Sequence, residues 1–242
     1  MKLVIIRHGD PDYERDSLTE VGFEEAELLS ERVKDMEVSA FYQSPLGRAK
    51  DTARPTLLKM GRDAETLDWL REFPIQLNED NGSHDGCCWD WIPETWTKEP
   101  MFFDKDCWFD HPVFKDAGVK EKYLEVCSEL DLLLEKHGYK RENNYYRAIR
   151  PNEDTVVFFC HFGLECVLLS HLMNISPMLL WHGTCAAPTS VTTTVTEERR
   201  EGVAYFRMGS FGDTSHLYVA KREPSFAARF CETYSRFDQR HD

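Results

Sequence analysis

Positive charge is what this chain has too little of. Lys and Arg number 29 against 43 Asp and Glu, a net charge of -14. Nucleic acids and anionic membrane surfaces are held by clustered cations, so neither is expected as a partner. Long apolar runs are missing too, and nothing approaches the ~20 residues of a membrane span. Met1 to Ile6 is too short for a secretory leader and is needed as a strand, so no export signal is expected. Eight cysteines in 242 residues are too sparse for a disulfide scaffold. The expectation is a cytoplasmic protein with free thiols. There is no internal repeat and no flexible linker, so the 242 residues read as one domain able to bury most of its surface.

What is present begins at once. Lys2-Leu3-Val4-Ile5-Ile6 is a short apolar run rich in β-branched residues, which predicts a buried strand. Ser17-Leu18-Thr19-Glu20 carries a capping signature, with Ser17 or Thr19 as the cap. Ala26, Leu29, Val33 and Met36 then recur at helical spacing. Val38 to Tyr42 predicts a second strand. Ser44-Pro45 predicts a capped helix with proline at its first position and a buried stripe of Ala49, Ala53, Leu57 and Met60. Tyr123, Cys127, Leu130 and Leu134 restore a helical period that Gly138 closes. Thr155 to Cys160 is another apolar strand, with Gly163 to Met173 a helix after it. Ser190 to Thr196 and Val203 to Met208 read as late strands, and Pro224 to about Phe237 as a terminal helix. The alternation predicts an α/β fold, a three-layer α/β/α sandwich around a mainly parallel mixed sheet. Residues 73–117 break the pattern and read as a Trp- and Asp-rich insertion within the single domain 1–242.

Three strand ends carry the chemistry. The first strand ends in Arg7-His8-Gly9. The second runs into Ser44-Pro45-Leu46-Gly47-Arg48-Ala49, which puts Arg48 in the first turn of a helix, and the strand at 155–160 ends in His161-Phe162-Gly163, again at a helix start. Open α/β sheets place their sites at the C-terminal ends of such strands. Two guanidiniums, two imidazoles and two helix N-termini converging there would suit a dianion the size of a phosphoryl group.

As a set, these motifs resemble the histidine phosphatase superfamily, the group that includes cofactor-dependent phosphoglycerate mutases. The resemblance rests on Arg7-His8-Gly9, on Leu18-Thr19-Glu20-Val21-Gly22, on Ser44-Pro45-Leu46-Gly47-Arg48-Ala49 with Thr52, on Leu70-Arg71-Glu72 and on His161-Phe162-Gly163. It implies that His8 is the nucleophile, that Arg7, Arg48 and His161 grip the phosphoryl oxygens, and that Glu72 is the general acid and base. Glu79, Asp80 and Asp85 stand nearby as alternative acids. Two positions depart from the pattern. Asp10-Pro11-Asp12-Tyr13 takes the place of an asparagine, and Phe162 stands where glycine is usual, leaving its backbone N–H as the phosphate-binding group.

The residue types suit the reaction. A neutral imidazole can attack phosphorus and split a slow hydrolysis into two easier steps. Neighbouring cations keep that imidazole unprotonated and neutralise the moving phosphoryl group. The reading is a metal-independent phosphomonoesterase of the histidine acid phosphatase type, needing no cofactor and acting on a small phosphorylated metabolite. A phosphoglycerate mutase-type phosphotransferase is the alternative, and a homodimer is left open.

The insertion offers Trp89, Trp91, Trp96, Phe102, Phe103, Trp108 and Phe109 among many acids, with Lys98 and Lys105 among the few cations against them. It reads either as a lid over the site or as a small aromatic core. An acidic lid disfavours a substrate with a second anionic group. Two non-enzymatic readings compete: a module that only recognises phosphate, and a binding protein stapled by zinc on His84, Cys87, Cys88, Cys107 and His111.

Overall fold

The computed structural model describes residues 1–77, 86–226 and 233. The chain opens with β1 (Lys2–Arg7), followed by two short paired strands, β2 (Pro11–Asp12) and β3 (Ser17–Leu18), and by α1 (Glu20–Val33). Thr19 is the N-cap of α1, its hydroxyl accepting from Gly22 N at 3.1 Å. Next come β4 (Ala40–Gln43), α2 (Gly47–Met60) and an edge strand, β5 (Glu65–Thr66). The short helices α3 (Pro93–Trp96) and α4 (Pro112–Lys115) lie in the insertion, and α5 (Val119–Lys136) leaves it. A hairpin, β6 (Tyr139–Glu142) and β7 (Tyr145–Ala148), leads to β8 (Thr155–Cys160), α6 (Phe162–Met173) and α7 (Pro177–Gly183). The long strands β9 (Val191–Arg200) and β10 (Val203–Asp213) precede α8 (Ser215–Val219).

Eight strands form one sheet in the order β5-β4-β8-β1-β9-β10-β7-β6. β5, β4, β8 and β1 are mutually parallel, while β9 joins β1 antiparallel and opens the antiparallel half. Strands β9 and β7 therefore oppose the direction of the other six, giving a mixed, mostly parallel sheet.

The pleat sorts β1 into two cores. Val4 and Ile6 pack with Leu29 and Val33 of α1 and Ala53 of α2, whereas Leu3 and Ile5 face α5 and α6. Each of these four β1 side chains is at most 1% exposed, contributing about 1.5–3 kcal/mol by burial. Helices on both faces complete the three-layer sandwich.

Several elements differ from the sequence reading. α2 begins at Gly47, not Pro45, and its N-cap Leu46 makes no side-chain cap bond. Ser44 is instead drawn to His161, whose Nε2 lies 2.8 Å from its hydroxyl. Hairpin β6–β7 and helix α7 carried too little periodicity to be anticipated. Most of the terminal helix expected from Pro224 lies outside the described residues.

The insertion is welded to the body. Trp91, Phe102, Trp108, Phe109 and Phe114 belong to the same buried cluster as Phe158 of β8 and Leu168 of α6. Trp108 is fully buried, edge-on to Trp181 of α7 at 5.4 Å and to Tyr123 of α5 at 5.2 Å. These five aromatics build core, while Phe103 stays exposed. The zinc set does not assemble: among the described residues no three His, Cys, Asp or Glu side chains group to hold a metal, and His84 lies outside them. Every described cysteine is a free thiol, and no described helix is long and apolar enough to cross a membrane.

Candidate active site

β1 and β8 lie side by side and in parallel, with Arg7 opposite Cys160, so the residues after them emerge at one edge of the sheet. The His8 and His161 rings come within 5.1 Å, centroid to centroid. Both are at most 2% exposed. Thr52 of α2 ties the first and second motifs together: its hydroxyl accepts from Gly9 N at 2.9 Å and donates to Arg48 O at 2.7 Å.

The bonding of His8 determines its chemistry. Nδ1 lies 2.8 Å from the Gly9 carbonyl. A carbonyl only accepts, so Nδ1 carries the proton and Nε2 keeps its lone pair. Burial, then the charges of Arg7 and Arg48, hold the ring well below its ordinary pKa, so it stays neutral at pH 7. His161 is lowered in the same way, by burial first and then by His8, Arg48 and Arg7.

The cations keep donors to spare. Arg7 is 4% exposed and donates from Nη1 to Ala186 O at 2.5 Å, and its guanidinium lies 5.9 Å from the Phe162 ring centre. Arg7 Nε, Arg48 Nε and His161 Nδ1 are buried without a hydrogen-bond partner among the described residues. Three buried polar atoms left unmatched around one imidazole is an expensive arrangement unless an anion completes it.

Glu72 follows a short turn of 3-10 helix and reaches the start of α6. Its Oε1 accepts from Leu164 N at 2.9 Å and from Phe73 N at 2.8 Å. Burial raises its pKa, against the pull of those N–H groups and of Arg7 and Arg48. Gly163 makes this approach possible, since a Cβ there would stand 2.8 Å from Glu72 Oε1 and 2.9 Å from Trp89 Nε1. Trp89 donates from Nε1 to Phe73 O at 2.9 Å, so the insertion's first turn walls in the carboxylate. Glu79, Asp80 and Asp85 lie outside the described residues. Phe162 is the first residue of α6 and 1% exposed, its ring edge-on to Trp89 at 6.0 Å.

Two residues near Arg48 carried no assigned role in the sequence. Asp16 pairs with Arg48 Nη1 at 2.7 Å and also accepts from Gly47 N at 2.7 Å. It aims the guanidinium from behind and adopts a left-handed backbone, φ 48°. Tyr13 stands over Arg48 at 5.4 Å from the ring centre and is 69% exposed. The segment from Asp10 thus offers an aromatic face where the asparagine was missing, while Asp10 itself bonds Thr19 at the start of α1. Both residues sit in an irregular turn, where neither period nor composition marks them.

The model of the histidine phosphatase superfamily, branch 1, matches residues 3–207. The chain belongs to that superfamily. Membership carries the enzyme class with it, and this histidine phosphatase is a phosphohydrolase. Solved structures agree on the fold. A mutant of phosphoserine phosphatase from Entamoeba histolytica in complex with phosphoserine is similar at 20% identity and TM-score 0.56, covering 89% of this chain and 98% of that one. Mycobacterial glucosyl-3-phosphoglycerate phosphatase in complex with VO3 is similar at 18% identity and TM-score 0.52, covering 87% and 98%. Bacillus stearothermophilus YhfR is similar at 21% identity and TM-score 0.56, covering 89% and 98%. No curated protein matches the chain.

Proposed function

We propose that this histidine phosphatase hydrolyses a singly phosphorylated small metabolite through a phosphohistidine on His8, without a metal. The observation that carries the reading is the neutral His8 ring, with Nδ1–H on the Gly9 carbonyl and the Nε2 lone pair free to react. Nε2 attacks phosphorus, and the P–O bond to the leaving alcohol breaks as Glu72 gives that oxygen its proton. Water then attacks the phosphohistidine and passes a proton to Glu72. Inorganic phosphate leaves, and both residues return to their starting states.

Arg7, Arg48 and His161, with the Phe162 backbone N–H, hold the equatorial oxygens, and the spare donors on the first three support this. Losing one such donor costs on the order of 3–4 kcal/mol of transition-state stabilisation. Arg48 is already partly neutralised by Asp16, which favours one phosphoryl group over two. The printed names of two similar structures, phosphatases of phosphoserine and of glucosyl-3-phosphoglycerate, support a small metabolite as substrate. They also favour hydrolysis over mutation.

The test is hydrolysis of p-nitrophenyl phosphate in EDTA by the parent, His8→Ala and Glu72→Gln. We expect the parent to turn over, His8→Ala to be inactive, and Glu72→Gln to lose roughly 10²–10⁴-fold. Full activity in His8→Ala would remove the mechanism, and loss of parent activity in EDTA would remove its metal independence.

A further inference from the structure

One buried acid takes no part in that reaction. Glu165 lies in the first turn of α6, which is otherwise almost wholly apolar, and is 1% exposed. It shares a helix face with Phe162, three residues earlier, over whose ring the Arg7 guanidinium lies. Neither carboxyl oxygen has a hydrogen bond of normal geometry among the described residues. The groups around it come from four directions: Arg7 of β1, Thr192 of β9, Cys160 of β8 with Cys166 of its own helix, and Glu72 beside the helix start. An apolar side chain would fill this place at less cost, since an unpaired buried carboxyl is expensive.

We propose that Glu165 is a positioning residue for Arg7. Uncharged, it leaves the full positive charge of the guanidinium to the substrate phosphoryl group; ionised, it turns part of that charge inward. The inference deepens the reading above and rests on it.

Burial raises the Glu165 carboxyl to about 8, against the opposing pull of Thr192 and Arg7. Oxyanion binding therefore weakens as pH rises through that value. Glu72 is raised by burial as well and is common to the parent and a Glu165→Gln variant, so the difference between the two isolates Glu165. Both thiols are pushed well above their ordinary value, and His8 and His161 are already neutral.

Tungstate is a fitting probe, because it stays a dianion between pH 6.5 and 9.5 and changes in its affinity report the protein. Calorimetric titration of the parent should show a fall of roughly tenfold or more between pH 7 and 9.5, as expected for a buried charge within electrostatic reach of a buried guanidinium. Glu165→Gln should lose several-fold less affinity than the parent over the same range. Should the glutamine variant fail to fold, Glu165→Met, equally unable to ionise, is read by the same criterion. An equal fall in parent and variant overturns the role, as does a parent whose affinity ignores pH. No tungstate binding at any pH overturns the phosphatase reading itself, and this inference with it.

Discussion

Acid should unfold this protein early, and the cause can be traced to a few rings. His8, His161, His182 and His216 are all held neutral by burial, His182 and His216 at about 4 and the other two well below 6.5. In the unfolded chain each titrates near 6.5. As pH falls through that value the unfolded state takes up protons the folded state refuses, so stability falls with pH. Each group adds a slope of about 1.4 kcal/mol per pH unit. Glu165 works the other way: raised from 4.5 to about 8, it keeps a proton in the folded state that the unfolded state has lost, and so offsets one histidine. Glu25 and Glu72, raised by burial as well, add to that offset. Half-buried His137, lowered from 6.5, adds a little to the loss.

The balance leaves roughly 1–4 kcal/mol lost per unit between pH 6 and 5. Against a total of about 5–15 kcal/mol, that is enough to unfold the chain within a few pH units of neutrality. Urea unfolding followed by far-UV circular dichroism, at half-unit steps from pH 7.5 to 4.5, measures the slope. His8→Ala removes one of the rings and should lower the slope by about 1.4 kcal/mol per unit, whatever it does to stability itself. Stability that stays flat from pH 6.5 to 5, or a slope unchanged in His8→Ala, would refute the reasoning.

Two substitutions test the packing around the site. Gly163→Ala puts a methyl group 2.8 Å from Glu72 Oε1; kcat for p-nitrophenyl phosphate should drop at least ~10-fold while oxyanion binding changes little, because a displaced acid loses catalysis of that order. Trp108→Ala should cost about 3–5 kcal/mol in a single unfolding transition, measured by calorimetry, since its ring lies in the common core; a separate low-temperature transition would instead make the insertion an independent lid.

Much of the site could be read from the residues because strand ends are hard to disguise. Arg7, His8 and His161 follow continuous β-branched or aromatic runs, and the structure has them at adjacent strand ends. Arg48 could be placed because a helix stripe begins right after it, even though Pro45 misled the start of that helix. Glu72 had no such marker and came only from resemblance to a family; what defines it is a contact with α6, 92 residues further on. Asp16, Tyr13 and Glu165 escaped for related reasons. The first two lie in a turn without period, and the third interrupts an apolar helix by one residue, which reads as noise until Arg7 is found over Phe162, one turn earlier on that helix. The insertion's aromatics allowed both a lid and a core, and only Trp181 and Tyr123, far along the chain, show that they join the main core.

The place of β1 in the sheet has a consequence for synthesis. Its two neighbours are β8 and β9, so this strand finds no partner in the sheet until residues 155–200 have been made. At about 5–20 residues per second that wait is roughly 10–40 s, during which a sticky apolar segment is bare to other nascent chains. His8, at the end of β1, therefore meets His161 beside it only after that wait, so a chain cut short before β8 lacks a built pocket.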